Sequence, residues 1–253
     1  MNHRHIIITG GAKGIGLGCV EAFVRGGCRV TILDIDESGP RLGERLGKQV
    51  HFIYCDVAQE QMVSDALSEA IARFGEVEVL INNAGIQRYS TVTETTEEEW
   101  DLVMNVNLKS AFFCAKHAIP SMQRRGGGIV INISSVQAFV SQEKVAPYTT
   151  SKTAMLGLTR SIAIDYAPQI RCVAICPGTV DTPMLRNAIA LSPDPAEVYN
   201  ECVDMHLLKK IGVPSDIGEL AYFLAGENAG FFTGQAIRVD GGLGIRVDGS
   251  KRS

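Results

Sequence analysis

The chain has 253 residues, 45% of them hydrophobic and 21% charged, which is enough for one substantial core and too little for two full domains with a linker. The formal net charge of −4 argues against a nucleic-acid surface, which would need clustered lysine and arginine. Seven scattered cysteines indicate reduced thiols, and no apolar run reaches the roughly 20 residues of a membrane span. The apolar run near the N-terminus is too short for a signal peptide, so we expect a cytoplasmic protein with neither nucleic-acid nor membrane partners.

Short β-branched runs alternate with amphipathic stretches along almost the whole chain. Seven buried strands are predicted over residues 5–9, 29–34, 50–55, 77–81, 128–133, 170–175 and 235–239. Helices are predicted between them, with the clearest patterns over residues 17–25, 59–74, 100–122 and 148–165. This alternation is typical of an α/β Rossmann fold, a doubly wound parallel sheet with helices on both faces. Cys172 and Cys176 fall at the sixth strand without a histidine or second cysteine pair nearby, so we expect core packing there and no metal.

No repeat or linker divides the chain, and residues 1–253 are predicted to form one domain. The cofactor half is expected over about 1–133 and the catalytic and substrate half over about 134–253. The longest irregular segment, residues 177–214, follows the carboxyl end of the sixth predicted strand. Ligands bind at that end of parallel strands, so we predict a lid over about 179–213.

A glycine-rich turn separates the first predicted strand from the first predicted helix. Glycines at positions 10, 14 and 16 allow a tight turn and a close approach of backbone to a pyrophosphate. The helix that follows adds free N–H groups and the positive end of its dipole. The predicted pyrophosphate site comprises Gly10, Gly14, Ile15 and Gly16.

Asp34 ends the second predicted strand, eighteen residues past Gly16. A carboxylate there would accept hydrogen bonds from both ribose hydroxyls and would repel a 2′-phosphate, with each like-charge pair costing about 4 kcal/mol at about 4 Å and an effective dielectric near 20. This favours NAD over NADP. Lys13 instead favours NADP, because a lysine in the glycine loop could contact a 2′-phosphate.

Taken in order, these and further motifs resemble those of the short-chain dehydrogenase/reductase family over nearly the whole chain. The glycine turn has the family spacing Thr-Gly-x-x-x-Gly-x-Gly. The remaining matches are Asp56-Val57, Asn82-Asn83-Ala84-Gly85, Asn107, Ser135, Tyr148-x-x-x-Lys152, Pro177-Gly178-Thr179-Val180-Asp181-Thr182 and Asp240-Gly241-Gly242. The longer sugar-nucleotide epimerases share Tyr-x-x-x-Lys but have a different glycine spacing and a larger C-terminal domain.

The resemblance implies a role for each matching residue. Asp56 and Val57 would hold the adenine. The other implied cofactor contacts are Asn83, Ala84 and Gly85 after the fourth strand, Tyr148 and Lys152, and Pro177, Gly178, Val180 and Thr182 around the nicotinamide carboxamide. Lys152 would also bind the nicotinamide ribose, and Asn107 would anchor a water that relays the proton outward. The implied catalytic residues are Asn107, Ser135, Tyr148 and Lys152.

The chemistry of alcohol oxidation explains the need for these residue types. Tyr148 and Lys152 are four residues apart and share one face of a helix. A phenol with a pKa of about 10 is a poor base at neutral pH, and lowering it by about three units requires roughly 4 kcal/mol from neighbouring positive charges. Tyr148 would then take the alcohol proton while hydride leaves for the nicotinamide, and Ser135 would hydrogen-bond the substrate oxygen.

Polar side chains surround the predicted substrate site. The candidates in contact with a substrate are Arg88, Gln137, Gln142, Lys144 and Met184, with Gln87, Tyr89 and Arg186 close by in sequence. Such a set suits a small hydroxy acid, sugar or sugar acid better than a steroid, and the surroundings of Pro177 are similar to those of 3-hydroxybutyrate and sugar-acid dehydrogenases. Two alternatives remain open: an NADPH-dependent biosynthetic ketoreductase, and a non-catalytic dinucleotide-binding module.

Two predicted helices, over 100–122 and 148–165, carry apolar residues nearly all round. A helix of this kind must be covered on its second side, and a two-fold contact between copies of the chain would cover it. The apolar segment 235–246 could form a second two-fold contact. We therefore expect a homo-oligomer, a tetramer rather than a dimer, unless the lid or tail folds back over these helices.

Overall fold

Seven parallel strands form one sheet in the computed structural model, which describes residues 3–245. The strands are β1 (His5–Thr9), β2 (Arg29–Asp34), β3 (Val50–Tyr54), β4 (Val79–Asn82), β5 (Gly128–Ile133), β6 (Ile170–Pro177) and β7 (Ala236–Val239). Their order across the sheet is β3-β2-β1-β4-β5-β6-β7, and every neighbouring pair is parallel. The predicted Rossmann fold is confirmed, and no strand end differs from its predicted position by more than two residues.

Nine α-helices accompany this sheet in the described part of the chain. They are α1 (Gly14–Arg25), α2 (Gly39–Leu46), α3 (Glu60–Phe74), α4 (Glu97–Met104), α5 (Ser110–Arg125), α6 (Ala146–Tyr166), α7 (Pro183–Ile189), α8 (Pro195–Met205) and α9 (Pro214–Ala225). Successive residues of β1 point to opposite faces: Ile6 and Ile8 join the core under α1 and α9, and Ile7 joins the core under α3 and α5. The continuous apolar strands are therefore buried from both sides.

Helices α1 and α9 pack so closely that glycine is required on both. A Cβ at Gly18 would lie 2.4 Å from the carbonyl oxygen of Pro214, and one at Gly218 would lie 2.3 Å from the carbonyl oxygen of Gly18. This contact sets the position of the first helix, whose N-terminus faces the carboxyl edge of the sheet.

The helix predicted over 100–122 is present and contains a π-helical turn. Helix α4 ends at Met104, a π-helical turn covers Asn105–Lys109, and α5 begins at Ser110. Such wide turns insert one residue into the helical ladder and often occur at functional sites. Here the turn carries Asn107.

The segment predicted as a lid contains the two short helices α7 and α8. Helix α8 has no buried residue, and two of its apolar side chains are exposed: Tyr199 (43%) and Met205 (45%). The segment is anchored at its base, where Val180 forms an isolated parallel bridge with Gly212. The predicted second contact over 235–246 includes the described strand β7, but its last residue, Arg246, lies outside the described residues. Across residues 3–245 no helix is long and apolar enough to cross a membrane.

Candidate active site

The glycine turn after β1 is held in place by the end of β4. The Thr9 hydroxyl accepts hydrogen bonds from the backbone N–H groups of Asn83 (2.9 Å) and Ala84 (3.0 Å). The Asn83 side-chain nitrogen donates to the carbonyl oxygens of Thr9 (3.0 Å) and Gly10 (2.9 Å). Both hydrogens of this amide are therefore used within the protein, which leaves its oxygen and the backbone for the predicted cofactor contact.

The same turn leaves a cradle at the start of α1. A Cβ at Gly16 would lie 2.0 Å from the carbonyl oxygen of Gly10, and Gly10 has a φ of +62°, so neither position tolerates a side chain. The helical ladder begins with Leu17 N–H to Lys13 carbonyl oxygen at 3.1 Å. The N–H groups of Gly14, Ile15 and Gly16 precede it and have no intrahelical acceptor. This edge can therefore hold the pyrophosphate of a dinucleotide.

An acidic pair lies beside the cradle, at the end of β2. The Asp34 carboxylate accepts hydrogen bonds from the backbone N–H groups of Ala12 (2.9 Å) and Asp36 (3.1 Å), which fix its orientation. Lys13 forms an ion pair with Asp36. That contact raises the pKa of Lys13 and lowers the pKa of Asp36 to about 2, with hydrogen bonds from Ser38 adding to the latter effect.

The predicted adenine contact, Asp56, follows β3 in a tight turn. Its carboxylate accepts hydrogen bonds from the Ala58 backbone N–H (3.0 Å) and the Gln59 side chain (2.9 Å). Val57 beside it is buried. The carboxylate therefore shapes the loop, and the predicted contact with the adenine stays a prediction.

A buried lysine lies at the centre of the site. Lys152 on α6 is 4% exposed, and its Nζ donates a hydrogen bond to the Ile133 carbonyl oxygen at 2.9 Å. Burial lowers the pKa of Lys152 to about 8, and Cys176 opposes the shift. The Nζ atom lies 5.8 Å from the centroid of the Tyr148 ring, so the two side chains occupy one face of the helix as the spacing predicted.

The Tyr148 phenol lies beside Ser135. Burial raises the pKa of Tyr148 above its ordinary value of 10, a hydrogen bond with the Ser135 side chain opposes this, and Tyr89 adds to it. Ser135 follows β5 and is itself oriented by the Gln137 backbone N–H, which donates to its hydroxyl at 3.1 Å. In the protein alone the phenol is therefore neutral at pH 7, and the expected lowering of its pKa needs a further positive charge.

Asn107 ties three elements together at the bottom of the site. This residue is fully buried, its oxygen accepts from the Ile86 N–H (2.8 Å), and its nitrogen donates to the Ile86 carbonyl oxygen (2.9 Å) and to the Ser151 hydroxyl (3.0 Å). The π-turn therefore aligns the loop after β4 with helix α6. A Cβ at Gly85 would lie 3.3 Å from Lys152 Nζ, which shows how close this loop approaches the catalytic candidates.

The segment after β6 crosses in front of the glycine turn. Pro177 ends the strand, and the Gly178 N–H donates to the Val239 carbonyl oxygen at 3.0 Å. Thr182 caps α7 by accepting a hydrogen bond from Leu185 N–H at 3.3 Å, and its methyl group lies 3.2 Å from a Cβ built at Gly14. The two candidate cofactor segments thus meet.

The predicted substrate contacts lie on the segments after β4, β5 and β6. The Gln137 side chain donates to that of Gln142 (3.1 Å) and accepts from Thr149 (3.3 Å). Arg88, Lys144 and Met184 are exposed. The loops that carry Arg88 and Lys144 are joined by a hydrogen bond of 2.7 Å from Ser90 N–H to the Lys144 carbonyl oxygen.

Asp181 and Arg186, two residues of the predicted lid, form an ion pair. Arg186 makes a two-pronged ion pair with Asp181, at 2.8 and 2.9 Å. Its guanidinium is thus already matched by a carboxylate. Arg186 therefore offers little to an acidic substrate.

The sequence patterns did not single out His206, which follows α8. The ring is 2% exposed, its Nε2 accepts a hydrogen bond from the Thr179 N–H at 3.1 Å, and its Nδ1 lies 2.7 Å from the Cys202 carbonyl oxygen. No motif contains this residue, and the only sequence signal is a lone histidine between apolar residues at the end of the lid.

Comparisons with known proteins agree with this geometry. A protein-family model described as Enoyl-(Acyl carrier protein) reductase matches residues 10–244. The probable galactose dehydrogenase GalD of Rhizobium meliloti (strain 1021) is 36% identical over 243 residues, which cover 94% of this chain and 93% of that protein.

Two solved structures share the whole fold. The ligand-free aldohexose dehydrogenase of Thermoplasma acidophilum is 37% identical, with a TM-score of 0.93 over 100% of this chain and 98% of that one. The 3-ketoacyl-(acyl-carrier-protein) reductase of Brucella melitensis, complexed with NADH, is 29% identical, with a TM-score of 0.89 over 96% of this chain and 99% of that one.

Proposed function

Because this chain belongs to the short-chain dehydrogenase/reductase family and is an oxidoreductase that acts on CH–OH donors, we propose that it uses NAD to oxidise a secondary alcohol or hemiacetal carbon of a small sugar. One observation carries the proposal: Tyr148 has both the Ser135 hydroxyl and the Lys152 ammonium as neighbours, at the sheet edge that also holds the glycine cradle. These groups can bind a substrate oxygen and move its proton in front of a bound dinucleotide.

Ser135, Tyr148 and Lys152 have different tasks in the reaction. Ser135 donates a hydrogen bond to the substrate oxygen and aligns it with Tyr148, which removes the hydroxyl proton as general base. Lys152, held by the Ile133 carbonyl oxygen, favours the phenolate and would bind the nicotinamide ribose of the cofactor. Nicotinamide, when bound, supplies the hydride acceptor and a positive ring. In the reverse direction Tyr148 returns the proton to the alkoxide.

Two features support NAD over NADP. Asp34 is oriented by two backbone N–H groups, and its carboxylate would repel a 2′-phosphate bound beside the end of β2. Lys13, the residue that favours NADP, is engaged by Asp36 and is therefore neutralised. A relative with the same fold has been solved with NADH.

A neutral sugar fits the mouth of the site better than an acid. The hydrogen-bonded pair Gln137 and Gln142 offers amide donors and acceptors suited to hydroxyl groups. Arg186 is already paired with Asp181, which leaves fewer cations for a carboxylate. Two similar proteins are named for hexose substrates.

A substrate panel tests the proposal directly. Purified protein is assayed with NAD and NADP against aldohexoses, 6-deoxyhexoses, sugar acids and 3-hydroxybutyrate, with Tyr148→Phe as the matched control. We expect NADH formation with at least one aldose and none with the variant. Turnover confined to NADPH and a keto thioester would establish the ketoreductase alternative, and NAD binding without turnover of any substrate would favour the non-catalytic module.

We also propose that the chain assembles into a homotetramer, with a dimer as its smallest unit. Apolar side chains remain exposed on α4 and α5, namely Trp100 (37%), Leu102 (41%) and Phe112 (48%), and on α6, Ile164 (77%). The described part of the lid does not cover them. A two-fold contact between two copies of the chain would cover these apolar side chains. Light scattering at micromolar concentration tests this, and a mass near the 27.3 kDa of one chain would contradict it.

The cysteines support a reducing location, which we propose to be the cytoplasm. Six of the seven thiols are buried, and Cys202 is half-buried. Burial raises the pKa of Cys19 and Cys55 to about 12, so these thiols stay protonated and unreactive. Fractionation of the native cells, followed by detection of the chain, tests the location.

A further inference from the structure

His206 joins the end of the lid to the segment that follows β6. It is the first residue after α8, and its backbone N–H donates to the Val203 carbonyl oxygen at 3.2 Å. Its ring reaches across to Thr179, 27 residues earlier in the chain, and accepts the Thr179 N–H at 3.1 Å. A single side chain therefore connects the lid helix to the candidate cofactor segment.

The partners of the ring allow only one protonation state. A backbone N–H can only donate, so Nε2 beside Thr179 must carry a lone pair. A carbonyl oxygen can only accept, so Nδ1, 2.7 Å from the Cys202 oxygen, must carry the proton. The arrangement requires a neutral imidazole with its proton on Nδ1.

The His206 ring is tightly packed against two glycines. A Cβ at Gly178 would lie 2.8 Å from Nε2, and a Cβ at Gly241 would lie 3.2 Å from Cδ2. Gly241 also has a φ of +55°, so glycine is favoured there on backbone grounds as well. The ring is therefore packed between the segment after β6 and the segment after β7.

Backbone hydrogen bonds also hold the segment around Thr179. Gly178 N–H bonds to Val239 (3.0 Å), while Gly212 accepts from Asp181 N–H (2.9 Å) and donates to the Thr179 carbonyl oxygen (2.8 Å). The Thr179 N–H differs from these groups because its acceptor is a side chain, the imidazole of His206. Loss of that acceptor would free the segment where it passes the glycine cradle.

We propose that His206 is a positioning residue, which holds the Thr179 segment against the nicotinamide half of the cofactor and links this grip to the lid. The inference rests on the proposed function, because it assumes that the dinucleotide lies along the cradle with its ring near Tyr148. His206 touches neither substrate nor cofactor. It acts through the backbone of Thr179.

Two variants test the roles of the two ring nitrogens of His206 separately. His206→Gln places an amide oxygen near the position of Nε2 and retains an acceptor for Thr179, whereas His206→Asn places a nitrogen near Nδ1 and removes that acceptor. Calorimetry measures the Kd of each full-length protein for NAD and for ADP-ribose, which lacks the nicotinamide. We expect His206→Asn to weaken NAD binding about tenfold, the effect of one unsatisfied N–H, and ADP-ribose binding by less than about twofold. His206→Gln should remain close to wild type.

His5 provides the matched control. It is also 2% exposed with both ring nitrogens hydrogen-bonded, to the Gly75 carbonyl oxygen and the Thr31 hydroxyl, but it lies at the opposite edge of the sheet. His5→Asn should lower Tm without changing the ratio of the two dissociation constants. Equal weakening of NAD and ADP-ribose by His206→Asn, or no weakening of either, would overturn the inference.

A second experiment uses the wild-type protein and therefore gives a result even if a variant fails to fold. Nitrogen-15 NMR of the histidine rings reports which nitrogen carries the proton. We expect the His206 proton on Nδ1, and a proton on Nε2 would overturn the inference. A wild-type protein that binds neither NAD nor ADP-ribose would instead refute the proposed function.

Discussion

Two lysines mark the two ends of the candidate site, and their environments are opposite. Lys13, at the edge beyond β1 and β2, has an exposed side chain and is paired with the carboxylate of Asp36, which raises its pKa. Lys152, beneath β5, is buried against a carbonyl oxygen, and burial lowers its pKa to about 8. The charge of Lys13 is therefore balanced by a carboxylate, whereas the charge of Lys152 is buried away from water.

The difference explains why the two ends suit different tasks. A surface ion pair is weak and can exchange partners, so it suits selection between two similar cofactors. A buried, unpaired ammonium acts on its neighbours through a medium of low dielectric, so it suits the control of a proton. The following predictions, from the largest expected effect to the smallest, test this division.

Removal of the Tyr148 hydroxyl tests the buried end most strongly. Tyr148→Phe keeps the ring and removes the proton-transfer group, so turnover should fall by about 10²–10⁴-fold. Affinity for NAD should change little, because the ring remains in place. Steady-state kinetics and calorimetry measure the two effects, and turnover within a few-fold of wild type would remove Tyr148 from the mechanism.

Lys152→Met should stabilise the protein at pH 7 while it abolishes activity. Below pH 8 the folded and unfolded states both carry the proton, and the folded state bears the penalty of a buried charge. The gap between a folded pKa of about 8 and the ordinary value of 10.5 corresponds to about 3 kcal/mol, which the loss of the bond to Ile133 reduces to about 2 kcal/mol.

The size of this stabilisation depends on pH. As pH rises from 8 toward 10.5, the folded lysine loses its proton and the penalty disappears. The advantage of Lys152→Met in urea unfolding should therefore shrink over that range. An equal advantage at pH 7 and pH 10 would show that burial of charge is not its cause.

Asp34→Asn should relax the choice of cofactor at the opposite end. Wild-type protein is expected to use NAD with at least about a tenfold better kcat/KM than NADP, because the carboxylate repels a 2′-phosphate. The variant should lose most of that preference. Unchanged discrimination would place the Asp34 carboxylate away from the ribose.

Asp36→Asn should have the smallest effect, because it releases a lysine from an exposed ion pair. NADP affinity should rise by about two- to fivefold when Lys13 is present. In a Lys13→Ala background the same substitution should change nothing. Calorimetry on the four proteins of this cycle measures the coupling, and equal effects in both backgrounds would show that Lys13 does not reach the phosphate.

The sequence predicted much of this molecule because several of its signals are local. Apolar strands, the glycine turn and the Tyr148–Lys152 spacing each depend on residues close together in the chain. The helix predicted over 100–122 is present, but its π-turn was not predicted, since apolar periodicity does not reveal one. Asn107 on that turn bonds to Ile86, 21 residues away, a pairing that no local pattern predicts.

By itself, the sequence determined the Rossmann class, the order of the motifs and the residue types that can transfer a proton. The tertiary structure alone decided which carboxylate neutralises Lys13, how deeply Lys152 is buried, and that His206 meets Thr179. The physical reason is distance along the chain. Residues brought together by the sheet and the lid share no periodic pattern, and their pairing is set by the packing of elements that the sequence describes only one at a time.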